Sequence, residues 1–332
     1  MIWFWLGYFG LVALLLFLDL GVVHRKAEAQ SLKTAAAWTA GWMALGLAFS
    51  GIVYLMYEHR WLDITGPSGA DAAITYVSAY LLEQALSIDN IFVMSLVFLN
   101  FRVPVAYQHR VLFWGIIGAI VFRIAMLGGG VWLAKQFDWI FYVFGAYLAW
   151  QGLKLGHEGM KGDEDEHESE EDARKKAMNH AAVRVLRRFV RVVEGDHGGK
   201  FRVVVDGRRA LTTVAVCLVV IELTDIVFAL DSIPAVLSVS QESFIIITSN
   251  IFAIMGLRSL YFVLAGAMAQ FKYLKVALAV LLVGIGVKLI GHNWFHISHV
   301  ISLIGIAAII GAGVLASIVS SRRHPVPEDQ AP

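Results

Sequence analysis

Two Asp-centred acidic segments interrupt otherwise apolar stretches of this chain: Glu83-Gln-Ala-Leu-Ser-Ile-Asp89-Asn90 and Glu222-Leu-Thr-Asp225-Ile-Val-Phe-Ala-Leu-Asp231-Ser232. A carboxylate in hydrocarbon costs about 2.5 to 3.5 kcal/mol on insertion scales, so five at membrane depth would cost about 12 to 18 kcal/mol if unpaired. Any fold must bring something cationic to them. Composition is what puts them in a membrane. Of 332 residues, 58% are hydrophobic and 16% charged, with a mean hydropathy of +0.68, values outside soluble usage. Net charge is +1 and the charges concentrate in connections, so no nucleic-acid partner is expected.

Runs of about 20 apolar residues are long enough to cross a ~30 Å hydrocarbon core as helix. Nine such runs are found, near 2–23, 32–57, 72–99, 110–133, 137–154, 210–237, 243–270, 273–290 and 298–320. The first has no basic residue before its apolar core and carries Asp19 near its end, so it is expected to be a membrane helix rather than a cleaved signal. Lys and Arg alternate between connections: Arg25, Lys26 and Lys33, then Arg102 and Arg110, then Lys272 and Lys275, then Arg322 and Arg323. That bias predicts an N-terminus outside and a C-terminus in the cytoplasm. The expected domains are a first membrane half (1–154), a cytoplasmic loop (155–209), a second membrane half (210–320) and a cytoplasmic tail (321–332).

Within the loop, residues 163–172 carry eight acidic side chains and His167 and read as a solvated linker. A basic amphipathic stretch follows, from Ala173 to Arg191, suited to a membrane surface. Residues 201–209, around Asp206-Gly207, read as a small hairpin. Cys217 is the single cysteine and sits in an apolar run, so it is expected to pack and no Cys-rich metal site is available. Asp19 with His24, and the set His292, His296 and His299, read as groups at helix ends.

The acidic segments match each other. Aligning Asp89-Asn90 with Asp231-Ser232 sets Glu83 opposite Asp225, and Arg123 and Arg258 each follow the acidic helix of their own half. Because the third and sixth helices are predicted to run in opposite directions, the pattern is that of an inverted repeat, helices 3–5 against 6–8, with its site at the midplane. Helical phase adds a constraint. On a regular helix Asp89 points about 120° away from Glu83, and Asp231 from Asp225, so either the acids serve different surfaces or the helices are broken between them. Pro234, and a third helix of about 42 Å at 1.5 Å per residue, favour a break whose freed carbonyls could bind an ion. Five acids against Arg123 and Arg258 leave three negative charges, which one divalent ion and one proton would neutralise. A monovalent ion with more carboxylates protonated stays open. The oxygen donors are Glu83, Asp89, Asn90, Glu222, Asp225, Asp231 and Ser232, with Ser87 and Asn250 as supporting polar groups beside the arginines. Such donors suit Mn²⁺, Ca²⁺ or Mg²⁺ over copper or zinc; Met94 is a soft neighbour more at home in packing.

At these residues, and at Ser249-Asn-Ile-Phe-Ala-Ile-Met-Gly-Leu-Arg258-Ser and Leu18-Asp-Leu-Gly-Val-Val-His24, the chain resembles the TerC family of integral membrane proteins, its Alx-type members in particular. That resemblance implies a fold of the broader LysE-like exporter group and an association with Mn²⁺ efflux, metal homeostasis, alkaline-pH response and tellurite resistance. The expectation is an all-α protein of the inner (cytoplasmic) membrane that exports a divalent ion, Mn²⁺ ahead of Ca²⁺ or Mg²⁺, with protons and lipid as further partners. No catalytic residue or bound cofactor is expected, and a homo-oligomer is left open. Two other classes remain: a membrane scaffold or metal-sensing partner for metal loading of exported proteins, and an intramembrane aspartyl hydrolase using Asp89 and Asp231. Deleting residues 163–172 separates scaffold from transporter. A scaffold that docks through the acidic run loses its cellular phenotype, whereas flux through a transporter in purified vesicles persists.

Overall fold

The computed structural model describes residues 2–18, 32–61, 66–137, 139–161, 191–193, 197–205, 207–265, 272–291, 294 and 297–323. Asp19, His24, the acidic run 163–172, the basic stretch up to residue 190, Asp206, His292, His296 and the last nine residues lie outside that set. In lipid a spanning segment must satisfy its backbone polar groups internally, so the apolar runs become helices. These are α1 (Ile2–Leu18), α2 (Leu32–Glu58), α3 (Gly69–Asn100), α4 (Val105–Gln136), α5 (Ile140–Lys161), α6 (Thr213–Leu237), α7 (Ser243–Ala265), α8 (Lys272–Ile290) and α9 (His299–Arg323). Each expected run overlaps one of these helices among the described residues. Six of the described helices, α2, α3, α4, α6, α7 and α9, are long and apolar enough to cross a membrane. The shorter apolar stretches Phe4–Leu18 and Val276–Ile290 come from α1 and α8. The second half of α5 is more polar, with Gln151, Lys154, His157, Glu158 and Lys161.

Boundaries shift where local chemistry outruns hydropathy. Ser68 caps α3: its hydroxyl accepts from the Asp71 N–H at 3.2 Å and donates to Asp71 Oδ2 at 2.7 Å, a serine cap answered by an acid three residues on. On α4, Pro104 stands at the N-cap and the helix begins five residues before the expected start. Residues 210–212 belong to a strand, so α6 starts at Thr213. The expected break beside the acids does not occur. Both α3 and α6 are continuous helices, and Pro234 falls in the last turn of α6, where Ser238 N–H already closes onto the Pro234 and Ala235 carbonyls. At that position a proline removes one ladder bond next to the helix end instead of splitting a span. The length of α3 is likewise taken up without a break; its 32 residues extend about 48 Å.

Packing follows a reciprocal pattern: α3 lies along α7 as α6 lies along α4, while α5 and α8 pack on each other. The tightest approach is between α5 and α8. A Cβ on Gly145 would fall 2.7 Å from the Gly286 carbonyl, one on Gly286 would fall 2.6 Å from the Gly145 carbonyl, and Gly152 meets the Ala279 carbonyl in the same way. Without side chains at these points the backbones touch, the usual basis of close helix pairs in membranes. Around α1, α2 and α7 the core is aromatic, with Tyr8, Phe49 and Phe252 in mutual contact.

Between α5 and α6 stands a three-stranded sheet: β1 (Val192–Val193), β2 (Arg202–Val205) and β3 (Arg208–Thr212) in the order β1-β3-β2. The expected hairpin is β2–β3, paired to Val205↔Arg208, with Gly207 at φ 71° in the turn. The parallel β1 was not anticipated. Arg110 anchors the sheet to α4, donating to the Gly199 carbonyl at 3.1 Å and lying 5.0 Å over the Phe201 ring. Thr212 ends β3 and caps α6, its hydroxyl accepting from Ala215 N–H at 3.3 Å. The sheet thus opens directly into a membrane-length helix. At this end of the bundle lie Arg102, Arg110, Arg202, Arg208 and Arg209; the opposite end exposes Trp61, Trp132, Trp139 and Trp294.

Backbone contact between α5 and α8 leaves no room for a methyl group. Gly286→Ala is expected to destabilise the protein by about 1 to 3 kcal/mol, read as a fall in the unfolding temperature of detergent-purified protein. Gly284→Ala, where the added Cβ meets nothing within 4 Å, should leave that temperature unchanged or slightly raised.

Candidate cation site

The two acidic helices meet on a single arginine. Arg123, near the middle of α4 and 3% exposed, donates from Nε and Nη2 to the two Asp225 oxygens at 3.4 and 3.2 Å. Its Nη1 makes a direct ion pair with Glu83. Asn90 Nδ2 adds a donor to Asp225 Oδ1 at 3.4 Å. Glu83 is fully buried, and Asn90 and Asp225 are buried almost as deeply. Charges taken from water need this degree of pairing, because an isolated one is driven to neutralise. Glu83 and Asn90 are seven residues apart on α3, two helical turns, so one face carries both to the Arg123–Asp225 pair, Glu83 to the arginine and Asn90 to the aspartate.

Asp231 turns elsewhere. Six residues beyond Asp225 on a continuous helix, it points about 120° away and faces α5. There Gln151 Nε2 donates to both Asp231 oxygens, at 3.2 and 3.1 Å, and the Tyr147 side chain lies near both groups. Between the arginine cluster and this second cluster lies a cavity of about 140 Å³, whose polar lining is Asn90, Arg123, Gln151, Lys154, Asp231 and Ser232. Ser232 is buried, and its hydroxyl has no hydrogen-bond partner among the described residues. Lys154 is exposed, with Nζ 5.8 Å from the Trp150 ring centre.

Other expected site residues are placed around these clusters. Glu222 packs its carboxylate against Gly118 of α4, so closely that a Cβ there would overlap it. Ser87 and Asn250 are buried with no side-chain hydrogen bond among the described residues, and Arg258 is buried in α7. Asp89 lies within helical α3, and its side chain is outside the described set. Met94 lines a narrow cleft with Asn90, Thr224 and Asp225. Cys217 is fully buried in an apolar cluster. Among the described residues no group of three or more His, Cys, Asp or Glu is placed to share one ion: Arg123 holds Glu83 and Asp225, while Gln151 holds Asp231.

Three site residues escaped the sequence reading: Tyr147, Gln151 and Lys154. They stand at i, i+4 and i+7 on α5, one helical face, and that polar stripe within an apolar run was the available signal. Lys288 of α8 was also omitted from the charge balance; its Nζ donates to Ser302 Oγ of α9 at 3.2 Å.

The model of the integral membrane protein TerC family matches residues 68–325. The chain belongs to the TerC family. Its match takes in both acidic helices, both arginines and the α5 stripe, so the whole described site lies in family sequence. Relatives extend over nearly the full length. An uncharacterised membrane protein of Myxococcus xanthus, STKORF319, is 39% identical over 99% of this chain and 96% of its own. The Alx protein of Escherichia coli (strain K12), whose name proposes a membrane-bound redox modulator, is 38% identical over 96% of this chain and 94% of its own. An uncharacterised membrane protein of Rickettsia bellii is 35% identical over 95% and 97%. No solved structure matches the chain.

Because Arg123 is paired with both Glu83 and Asp225, Arg123→Met leaves two buried carboxylates without a cation and is expected to cost about 3 to 5 kcal/mol of stability. Adding Glu83→Gln and Asp225→Asn to that variant should recover most of the loss, measured by thermal unfolding in one detergent.

Proposed function

We propose that this TerC-family membrane protein is a secondary transporter that exports a divalent metal cation from the cytoplasm across the inner membrane, manganese first, in exchange for protons. The observation that carries the reading is the charge pattern around the cavity. Arg123 faces both Glu83 and Asp225 and leaves one negative charge; Asp231, lining the adjoining cavity, supplies a second. Lys154 on the same lining offsets one of them, so the acids of the adjoining segments, Asp89 and Glu222, are needed to match one divalent ion, and carboxylates that lose the ion can take protons on the return. Carboxylate, amide and hydroxyl oxygens favour Mn²⁺, Mg²⁺ or Ca²⁺. Asp89 and Glu222, on the same two helices, complete the acidic set in this proposal, with Asn90 and Ser232 as neutral oxygens.

The reciprocal packing supports alternating access by an inverted repeat, α3–α5 against α6–α8. Gly145 and Gly286, in mutual contact, are 141 residues apart, and Asp89 and Asp231 are 142 apart, so the two offsets agree to within one residue. Nine crossings would follow if α1, α5 and α8 also span. Tryptophans at one end and arginines at the other agree with an arginine-rich cytoplasmic face and an N-terminus outside. A redox role, which the name of the Escherichia coli relative proposes for that protein, is the second reading. With Cys217 the one cysteine of this chain, such a role would act through a partner, and Cys217→Ala is expected to leave it intact.

Mn²⁺ flux into proteoliposomes over a short time window tests the main reading. Asp89→Asn and Asp231→Asn are each expected to lower the initial rate tenfold or more. Unchanged rates in both variants would overturn the assignment.

A further inference from the structure

Asp231 is approached from one side by the cavity and held from the other by α5. An ionised carboxylate can only accept hydrogen bonds, so the Gln151 amide must turn its NH₂ toward it, and the two contacts at 3.2 and 3.1 Å engage both oxygens at once. A cation binding Asp231 from the cavity must share both oxygens with the amide and meets two N–H groups carrying positive partial charge. The arrangement as it stands therefore caps Asp231 against a cation. The terminal torsion of a glutamine is soft and roughly two-fold. A half-turn removes both donors and presents Oε1, a hard oxygen ligand of the kind Mg²⁺, Mn²⁺ and Ca²⁺ accept.

The surroundings fit such a reversal. Gln151 is partly exposed to the cavity it lines, and the cavity has room for several waters. Tyr147, one turn earlier on the same face, lies near both Gln151 and Asp231, where its hydroxyl can donate to the carboxylate when the amide leaves it. The buried Ser232 hydroxyl, without a hydrogen-bond partner among the described residues, lines the same cavity, as does Asn90. Lys154, on the same face, lines the cavity as well, with its Nζ 5.8 Å from the Trp150 ring centre. We infer that Gln151 is a cation ligand that works by amide reversal: a donor that caps Asp231 when the site is empty, and an Oε1 ligand when a partly hydrated divalent cation is bound.

This inference rests on Asp231 being a cation ligand, and the test keeps the two apart. Mn²⁺ binding to detergent-purified full-length protein, followed by the electron paramagnetic resonance signal of free Mn²⁺, would be compared in wild type, Asp231→Asn, Gln151→Leu and Gln151→Glu. Asp231→Asn is expected to weaken binding tenfold or more; binding at wild-type strength in that variant would overturn the transport reading itself. Gln151→Leu, which removes cap and ligand together, is expected to weaken binding about tenfold. Gln151→Glu keeps an oxygen ligand and loses the donor, so it is expected to bind at least threefold more tightly than wild type at neutral pH. Should Gln151→Leu bind as well as or better than wild type while Asp231→Asn does not, Gln151 is only a cap and the reversal is wrong. Weaker binding by Gln151→Glu than by wild type would overturn it even if the leucine variant fails to fold.

Discussion

A guanidinium held between two carboxylates in the middle of an apolar bundle fixes how the central helices can sit. Arg123 comes from α4, Glu83 from α3 and Asp225 from α6, so satisfying one buried charge locks three helices at one depth and one rotation. Moving any of them by a single residue would turn its charge by about 100° and strand it in hydrocarbon. Asn90 adds a neutral donor to the same carboxylate. The cluster still carries more acid than base, and that residual charge is what allows it to be more than a structural rivet.

Division of labour between the acids follows from helix geometry. With α3 and α6 unbroken, acids six residues apart must face different neighbours, and Asp225 and Asp231 do so: one is bound to a charge, the other to an amide. The difference is large in physical terms. Separating a carboxylate from a buried guanidinium exposes two opposite charges at once, whereas releasing it from an amide exposes one charge and a dipole. In the proposed transport cycle Asp231 is accordingly the acid that an incoming ion would take more easily than Asp225.

Much of this was legible in the sequence, for a reason tied to the solvent. In a membrane, hydropathy marks each helix and every intramembrane charge stands out, so the runs, the acidic motifs and Arg123 could all be read without coordinates. Neutral polar residues carry no comparable signal. Gln151 and Tyr147 look like ordinary helix residues until α5 is seen lying beside α6, and Glu222 gives no hint from its neighbours that Gly118 leaves it a seat. Helix phase was also read correctly but resolved the wrong way. Pro234 suggested a break, yet in the last turn it takes little from the helix, so a 120° divergence was accommodated by two different partners instead of by bent backbone. Where each charged motif goes was visible; which neutral groups meet it depended on packing between distant helices.

The contact of Gly145 with Gly286 has a consequence beyond close packing. If the two halves of the bundle are related by a two-fold axis and exchange their conformations, every off-axis distance between them changes hands, whereas a self-paired contact on the axis maps onto itself. The two facing carbonyls of α5 and α8 would then keep the same separation whichever side is open. That makes this pair a fixed point about which Asp231 and its counterpart in the first half could be carried in opposite directions, and it gives a reason for building the junction from bare backbone, where no rotamer can change between states.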